Sequence, residues 1–174
     1  MGPGCIILPL RDAAGKTVSL YGRAIKGSGH YYTAGRRGLY PYYPDATTRT
    51  LILTESVIDV ASIRRYEFAL ELYAILALYG TNGLTAEHKA VITNLKDLRE
   101  IILALDNDTA GIKATEEIAA ELMELKPGLT ISFLELPEGG DVNEVASRAE
   151  DVEATFNDLF ARRETIANAA PVVP

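Results

Sequence analysis

Residues 101–105 read IILAL, an apolar run of strand length. The run stops at Asp106-Asn107-Asp108, and Thr109-Ala110-Gly111 then opens a helical pattern. A buried strand ending in carboxylates puts charge at the carboxyl edge of a sheet, where open α/β folds bind ligands. Alternate residues of an extended backbone point the same way, so Asp106 and Asp108 can face one point in space. Two carboxylates so placed repel unless a cation lies between them. The competing explanation is local: either acid can cap the helix that begins at Thr109.

Other segments repeat the theme. TLILTE (50–55), YAILAL (73–78) and LTISFLEL (129–136) are apolar runs, as strands covered on both faces should be. Helical spacing occupies 57–66, 85–95 and 109–125; Thr85 is a candidate N-cap with His88 three residues on, and Lys126-Pro127-Gly128 is a stop. Residues 141–148 read as a further helix. A last helix from Asp151 to about Ala167 carries the stripe Val152, Phe156, Leu159, Phe160 and Ile166. Strands alternating with helices predict a parallel sheet with helices on both faces. Acids fall at or just past separate strand ends: Glu55, then Asp106 and Asp108, then Asp141. Asp59 follows Glu55 by one helical turn. For Asp59 the bland reading is a solvated first-turn acid, and for Asp141 an N-cap.

Residues 5–48 have another rhythm. CIILPL and KTVSLYGRAI read as short strands joined by a turn at 12–15. Residues 27–38 form a glycine-rich loop holding His30, Tyr31, Tyr32, Arg36 and Arg37, and Pro41 and Pro44 break the stretch that follows. The expected organisation is a small basic β-rich subdomain at 1–49, an α/β domain at 50–150, a C-terminal helix at 151–168 and a tail at 169–174.

Charge divides along the same line. The net charge of −7 argues against a nucleic-acid protein until its distribution is seen. Residues 1–50 hold Arg11, Lys16, Arg23, Lys26, Arg36, Arg37 and Arg49 against Asp12 and Asp45, while the remainder holds 10 basic against 22 acidic residues. Such polarity suits a basic surface for polyanions and an acidic part that holds cations. The single cysteine, Cys5, excludes an internal disulfide and a cysteine-rich zinc site. The start lacks a secretory pattern, and the longest apolar stretch, 68–79, contains Glu71 and is too short to span a bilayer. No membrane association and a cytoplasmic location are expected.

The order Glu55, Asp59, Asp106/Asp108, Asp141 resembles the Toprim domain of DnaG-type bacterial primases, topoisomerases and some nucleases and recombination proteins. LILTESVIDV is similar to its glutamate motif, LALYGTNGLTAEH to the following strand–turn–helix, ILALDNDTAGIKA to its Asp-x-Asp motif, and LPEGGDVNE to a loop that carries further acids in primases. IILPLRDAAGKTVSLYGRAI and AGRRGLYPYY resemble the subdomain that precedes Toprim in DnaG-type primases. The resemblance implies a primase catalytic core: metal-dependent synthesis of short RNA primers from NTPs on single-stranded DNA, a nucleotidyltransferase of DNA replication. It implies Mg2+ or Mn2+, two or more ions, and no zinc in this chain. Asp106 and Asp108 would be ligands, Glu55 a ligand or general base, and Asp59 and Asp141 further metal-facing acids. Arg11, Arg23, Lys26, Arg36 and Arg37 would contact template or nucleotide. Tyr31 and Tyr32 can stack on bases, though loop tyrosines more often rest on their own domain.

The partners implied are single-stranded DNA, NTPs, an RNA–DNA hybrid, and a replicative helicase reached through regions absent from this chain. Departures from the family pattern are Thr109, where primases carry a basic residue; Asn143, where they carry a second aspartate; and His30 or Tyr31 in place of a lysine near the triphosphate. A Toprim-type nuclease and a non-catalytic nucleic-acid-binding Toprim module are the alternatives. Either a core cut from a longer primase or a short primase-like protein of a mobile element would fit; the MGPG start and the tail lean towards the former.

Overall fold

The computed structural model describes residues 4–80 and 83–167. The expected tail at 169–174 lies outside the described residues. The chain divides into two compact units, Met1–Tyr43 and Pro44–Pro174. The boundary falls before the expected position at 49 because the carbonyl of Arg49 accepts hydrogen bonds from the amides of Arg99 (2.8 Å) and Glu100 (3.2 Å), which ties it into the second unit.

The first unit is a three-stranded antiparallel sheet in the order β1-β2-β3, with β1 at Cys5–Arg11, β2 at Thr17–Ala24 and β3 at His30–Tyr32. The β1–β2 turn closes with Asp12, whose Oδ1 accepts from the amides of Ala14 and Lys16, both at 3.0 Å. Strand β3 was expected as loop. Its glycine-rich surroundings hide it, and it forms by pairing Tyr32, Tyr31 and His30 with Tyr21, Gly22 and Arg23.

The second unit carries a five-stranded sheet in the order β5-β4-β6-β7-β8. Its strands are β4 (Thr50–Thr54), β5 (Ala74–Ala77), β6 (Glu100–Ala104), β7 (Thr130–Phe133) and β8 (Glu164–Ala167). The first four in chain order are mutually parallel. Helices α1 (Val57–Ile63) and α2 (Glu67–Leu72) join β4 to β5; α3 (Ala86–Asn94) joins β5 to β6 and α4 (Thr109–Leu125) joins β6 to β7. The first crossover runs the opposite way across the sheet from the other two. Right-handed connections therefore place α1 and α2 on one face and α3 and α4 on the other. Helices α5 (Val142–Arg148) and α6 (Val152–Ala161) follow β7, and α5 packs on α1. Phe156, fully buried, and Phe160 anchor α6 in an aromatic cluster with Tyr66, Phe68 and Tyr73.

Two expectations are corrected. The last helix ends at Ala161 rather than near Ala167, and residues 164–167 form β8, antiparallel to β7, so the sheet is mixed. Thr165 and Ile166 are β-branched and suit a strand, and the open edge of β7 supplies the partner. Arg163 fixes the turn. Its Nε and Nη2 donate to Glu100 Oε1 (2.6 Å) and Oε2 (3.0 Å), and its Nη1 donates to the carbonyl of Phe160 (2.6 Å).

This fork has a pH signature. Burial pushes the Glu100 carboxyl up, but Arg163 and the Ser132 hydroxyl more than offset that and hold it below the ordinary glutamate value. A carboxyl lowered on folding stabilises above its unfolded value and loses that contribution as pH falls through the folded one. Arg163→Met should therefore cost about 2 kcal/mol at neutral pH by leaving Glu100 unpaired, with a smaller deficit in acid below pH 4.5. Urea denaturation across pH checks this; parallel stability curves for the two proteins would contradict it.

Candidate active site

Glu55 follows β4, and the chain turns there because Thr54 Oγ1 donates to the carbonyl of Ser56 (2.9 Å). Ser56 caps α1: its Oγ accepts from the amide of Asp59 (3.3 Å), and Asp59 Oδ2 accepts from the amide (3.0 Å) and hydroxyl (2.6 Å) of Ser56. This is a capping box with aspartate in the reciprocal position. The Glu55 carbonyl accepts from the amide of Gly80 (2.8 Å), just past Tyr79, which holds φ at 68°. A left-handed conformation is unusual for tyrosine, and here it lies at the strand end beside the acid.

The amide of Asp106 faces the Glu55 carboxylate closely enough to favour its charged form, while Oε2 is buried with no hydrogen-bond partner. Asp106 in turn lies under the first turn of α4. A Cβ on Gly111 would stand 1.9 Å from the Asp106 carbonyl oxygen, so only glycine lets the helix start this close to the strand end. Asp108 is the N-cap of α4, its Oδ1 accepting from the amide of Gly111 at 2.8 Å. Asp141 is the N-cap of α5, its Oδ1 accepting from the amide of Glu144 at 2.6 Å. Both capping explanations considered from sequence are thus realised, and each carboxylate retains a second oxygen.

The expected acids come within electrostatic reach of one another. Burial pushes the half-buried Asp106 carboxyl up, and the negative charges of Glu55, Asp59, Asp141 and Asp108 push it further, to about 7. Glu55 is raised first by burial, then by Asp108, Asp59 and Asp141, against the lowering bond from Asp106. Among the described residues no three His, Cys, Asp or Glu side chains are grouped closely enough to hold a metal ion by themselves. Magnesium and manganese do not require such a cage, since they keep waters and bind through one or two carboxylates plus substrate phosphate. The orphaned Glu55 Oε2 and the uncompensated negative charge around Asp106 fit a cation here.

Asp59 has another occupation. It is only 3% exposed, and its second oxygen, Oδ1, accepts from the amide of Asn143 (3.2 Å). Its oxygens are thus divided, Oδ2 serving the cap of α1 and Oδ1 joining α1 to α5. Asn143 completes that joint by accepting at Oδ1 from Ser62 Oγ (3.0 Å). His88 is fully buried: its Nδ1 contacts Thr85 Oγ1 (2.7 Å) and Nε2 contacts the carbonyl of Ala77 (2.9 Å).

The basic candidates all lie in the N-terminal unit. Arg23 contacts His30 Nε2 while Tyr21 Oη lies 2.9 Å from His30 Nδ1, and burial followed by the Arg23 charge lowers the His30 pKa. The register puts Arg23 and His30 side by side and Tyr21 opposite Tyr32, on one face of the sheet. Arg36 lies over the Tyr32 ring at 4.8 Å. Lys26 and Arg37 are exposed. Arg11 bonds the carbonyl of Gly15 (2.8 Å) and so serves the β1–β2 turn.

Sequence reasoning missed the residues that hold the acids in place. Gly111 carried a signal, a glycine inside a helical pattern. Asn107, Ser62 and Tyr79 carried none, because their partners are remote in sequence.

A mainly parallel sheet covered by helices, with carboxylates at the ends of β4 and β6 and at the start of α5, defines an α/β domain with an acidic rim. The Toprim-like family pattern matches residues 52–146, and the chain belongs to that family. It is 32% identical over 130 residues to the DNA primase of Mycoplasma pneumoniae, covering 67% of this chain and 20% of that protein. It is 31% identical over 157 residues to the DNA primase of Myxococcus xanthus, covering 82% and 24% respectively. The chain thus spans a quarter or less of the curated relatives it matches. Its fold is shared with a DnaG catalytic core (TM-score 0.74, 20% identity, 93% of this chain and 54% of that one). It is likewise shared with the zinc-binding and RNA polymerase domains of Aquifex aeolicus primase (TM-score 0.73, 20% identity, 94% and 41%). Among the described residues no helix is long and apolar enough to cross a membrane.

Proposed function

We propose that the chain is a primase catalytic core that joins ribonucleotides into short primers on single-stranded DNA. The observation that carries this reading is the buried, unpartnered Oε2 of Glu55 beside an Asp106 carboxyl pushed up to about 7. Such a rim lacks positive charge, which a divalent ion would bring. Asp106 and Asp108 would hold Mg2+ or Mn2+, and Asp141 would face an outer ion. When bound, the ions supply Lewis acidity toward the attacking hydroxyl and charge neutralisation of the pyrophosphate. Glu55, raised above the ordinary carboxylate value, suits the role of proton acceptor at Oε2.

Arg23 and Arg36, with Lys26 and Arg37, would receive nucleic-acid or nucleotide phosphates, for which guanidinium forks are suited. A related fold under 25% identical, a DnaG primase catalytic domain, is known bound to single-stranded DNA, which supports the same ligand here. Arg23→Ala should weaken single-stranded DNA binding and reduce the slope of log affinity against log salt by about 0.7, the value for one lost phosphate contact. Fluorescence anisotropy over a salt series measures this; an unchanged slope and affinity would remove Arg23 from the binding surface.

The function itself is tested by supplying labelled NTPs, single-stranded DNA and manganese to the chain. Short labelled RNA is the expected product. Cleaved DNA with no RNA would favour the nuclease reading, and DNA binding with neither product would favour the non-catalytic module.

A further inference from the structure

Asn107 separates Asp106 from Asp108, and its surroundings are unlike those of either acid. Its amide donates to the carbonyl of Gly140 (3.0 Å), its carbonyl accepts from the amide of Gly139 (2.8 Å), and its side-chain Nδ2 donates to the carbonyl of Leu136 (2.5 Å). All three partners lie in the connection between β7 and α5. That connection is a tight turn, closed by the amide of Gly140 donating to the carbonyl of Pro137 (2.9 Å) and made possible by Gly139 at a φ of 67°. Asp141 follows immediately. One residue of the β6–α4 loop therefore grips, through backbone and side chain together, the turn that delivers Asp141.

The grip closes a circuit. The Asp106 amide faces the Glu55 carboxylate; Asn107 clasps the turn before Asp141; the Asn143 amide bonds Asp59; and Asp59 bonds Ser56, next to Glu55. Every acid of the rim is on this loop or adjacent to it. Among the described residues, the side-chain hydrogen bond from the Asp106–Asp108 stretch to the connection that delivers Asp141 is that of Asn107 Nδ2. Leu136, whose carbonyl it satisfies, is only 2% exposed, so that carbonyl has little access to water.

We infer that Asn107 is a positioning residue that sets the distance between the Asp106/Asp108 pair and Asp141, and through it the affinity for the outer of two divalent ions. The inference rests on the reading of the rim as a metal site. Asparagine suits the task because it adds a donor at this point without adding a charge; an aspartate would oppose its oxygens to the Leu136 carbonyl and join the crowd of acids. Side chains that orient ligands from behind typically govern metal affinity by about 10–100-fold when altered.

The test is a manganese titration of the whole chain, followed by electron paramagnetic resonance of free Mn2+, with and without a nonhydrolysable NTP. Asn107→Gly removes the donor, Asn107→Asp replaces it with an acceptor of the same shape, and either serves if the other fails to fold. Thermal midpoints are measured in parallel. The expected result is that the parent binds two ions in the presence of nucleotide, and that both variants keep the tighter ion while the weaker one loses about tenfold or more. Two ions weakened equally would assign Asn107 a merely structural role and overturn the inference. Unchanged affinity at both sites would overturn it as well while leaving the metal reading intact. A parent that binds no manganese would remove the metal reading, and this inference with it.

Discussion

Asp106→Asn is expected to melt at a higher temperature than the parent in metal-free buffer at pH 8, and to make no primer. The two halves have one cause. The Asp106 carboxyl is pushed up to about 7 by burial and by Glu55, Asp59, Asp141 and Asp108. A carboxyl raised on folding prefers its proton in the native state, so it penalises folding progressively as pH climbs from its unfolded value to its folded one. Above about pH 7 the penalty is complete. At face value linkage makes it about 4 kcal/mol; the group is only half-buried, and solvent screening reduces this to about 1–2 kcal/mol. Asparagine keeps the shape and abolishes the penalty, so its melting temperature should exceed the parent's by about 2–6 °C at pH 8 and converge with it near pH 4. If Asp106 holds metal as proposed, its loss should reduce metal-dependent synthesis on the order of a thousandfold or more. Scanning calorimetry over pH and a primer assay decide the matter. A variant less stable than the parent at pH 8 would show that the rim carries no excess negative charge, and normal synthesis would show that Asp106 holds no metal.

Gly111→Ala should be strongly damaging although it adds a single methyl group. In an ordinary helix this substitution stabilises by about 1 kcal/mol. Here the new methyl would lie 1.9 Å from the Asp106 carbonyl oxygen and 2.8 Å from its carbonyl carbon. The obstacle is backbone and cannot rotate away. Overpacking typically costs about 1–3 kcal/mol, and an obstacle of this kind belongs at the upper end, leaving a net loss of about 2 kcal/mol. The catalytic loss should be larger, because the strain is relieved by displacing Asp106, and misplacement by about 1 Å can cost 100-fold. Urea melts and primer synthesis measured on the same preparation test this. Parental stability and activity would mean that α4 can shift along its axis at no cost to the site.

The parallel core of the sheet could be read from sequence because its signals are local. Strands β4, β5, β6 and β7 are apolar runs, and Thr85 and Asp141 cap the helices expected of them. Glu55 and Asp106 fall at the ends of β4 and β6 for the same reason, while Asp141 begins α5. What could not be read locally depends on partners elsewhere in the chain. Ile166 continues the helical stripe of Phe156, Leu159 and Phe160, which makes the sequence read as helix to about Ala167; only the free edge of β7 and the Glu100–Arg163 fork reveal a strand there. Strand β3 exists because Tyr21–Arg23 offer it a ladder. The employment of Asp59 in holding α5 depends on Asn143, a partner 84 residues away. No spacing rule reaches that far.

Asp108 and Asp141 each have one oxygen moored to the first turn of their own helix. The mooring fixes the reach of the side chain as firmly as its sign. A glutamate in either place would be one methylene too long to tether the same amide and still present its other oxygen at the same spot. This edge of the sheet therefore tells two chemically equivalent anions apart by length alone.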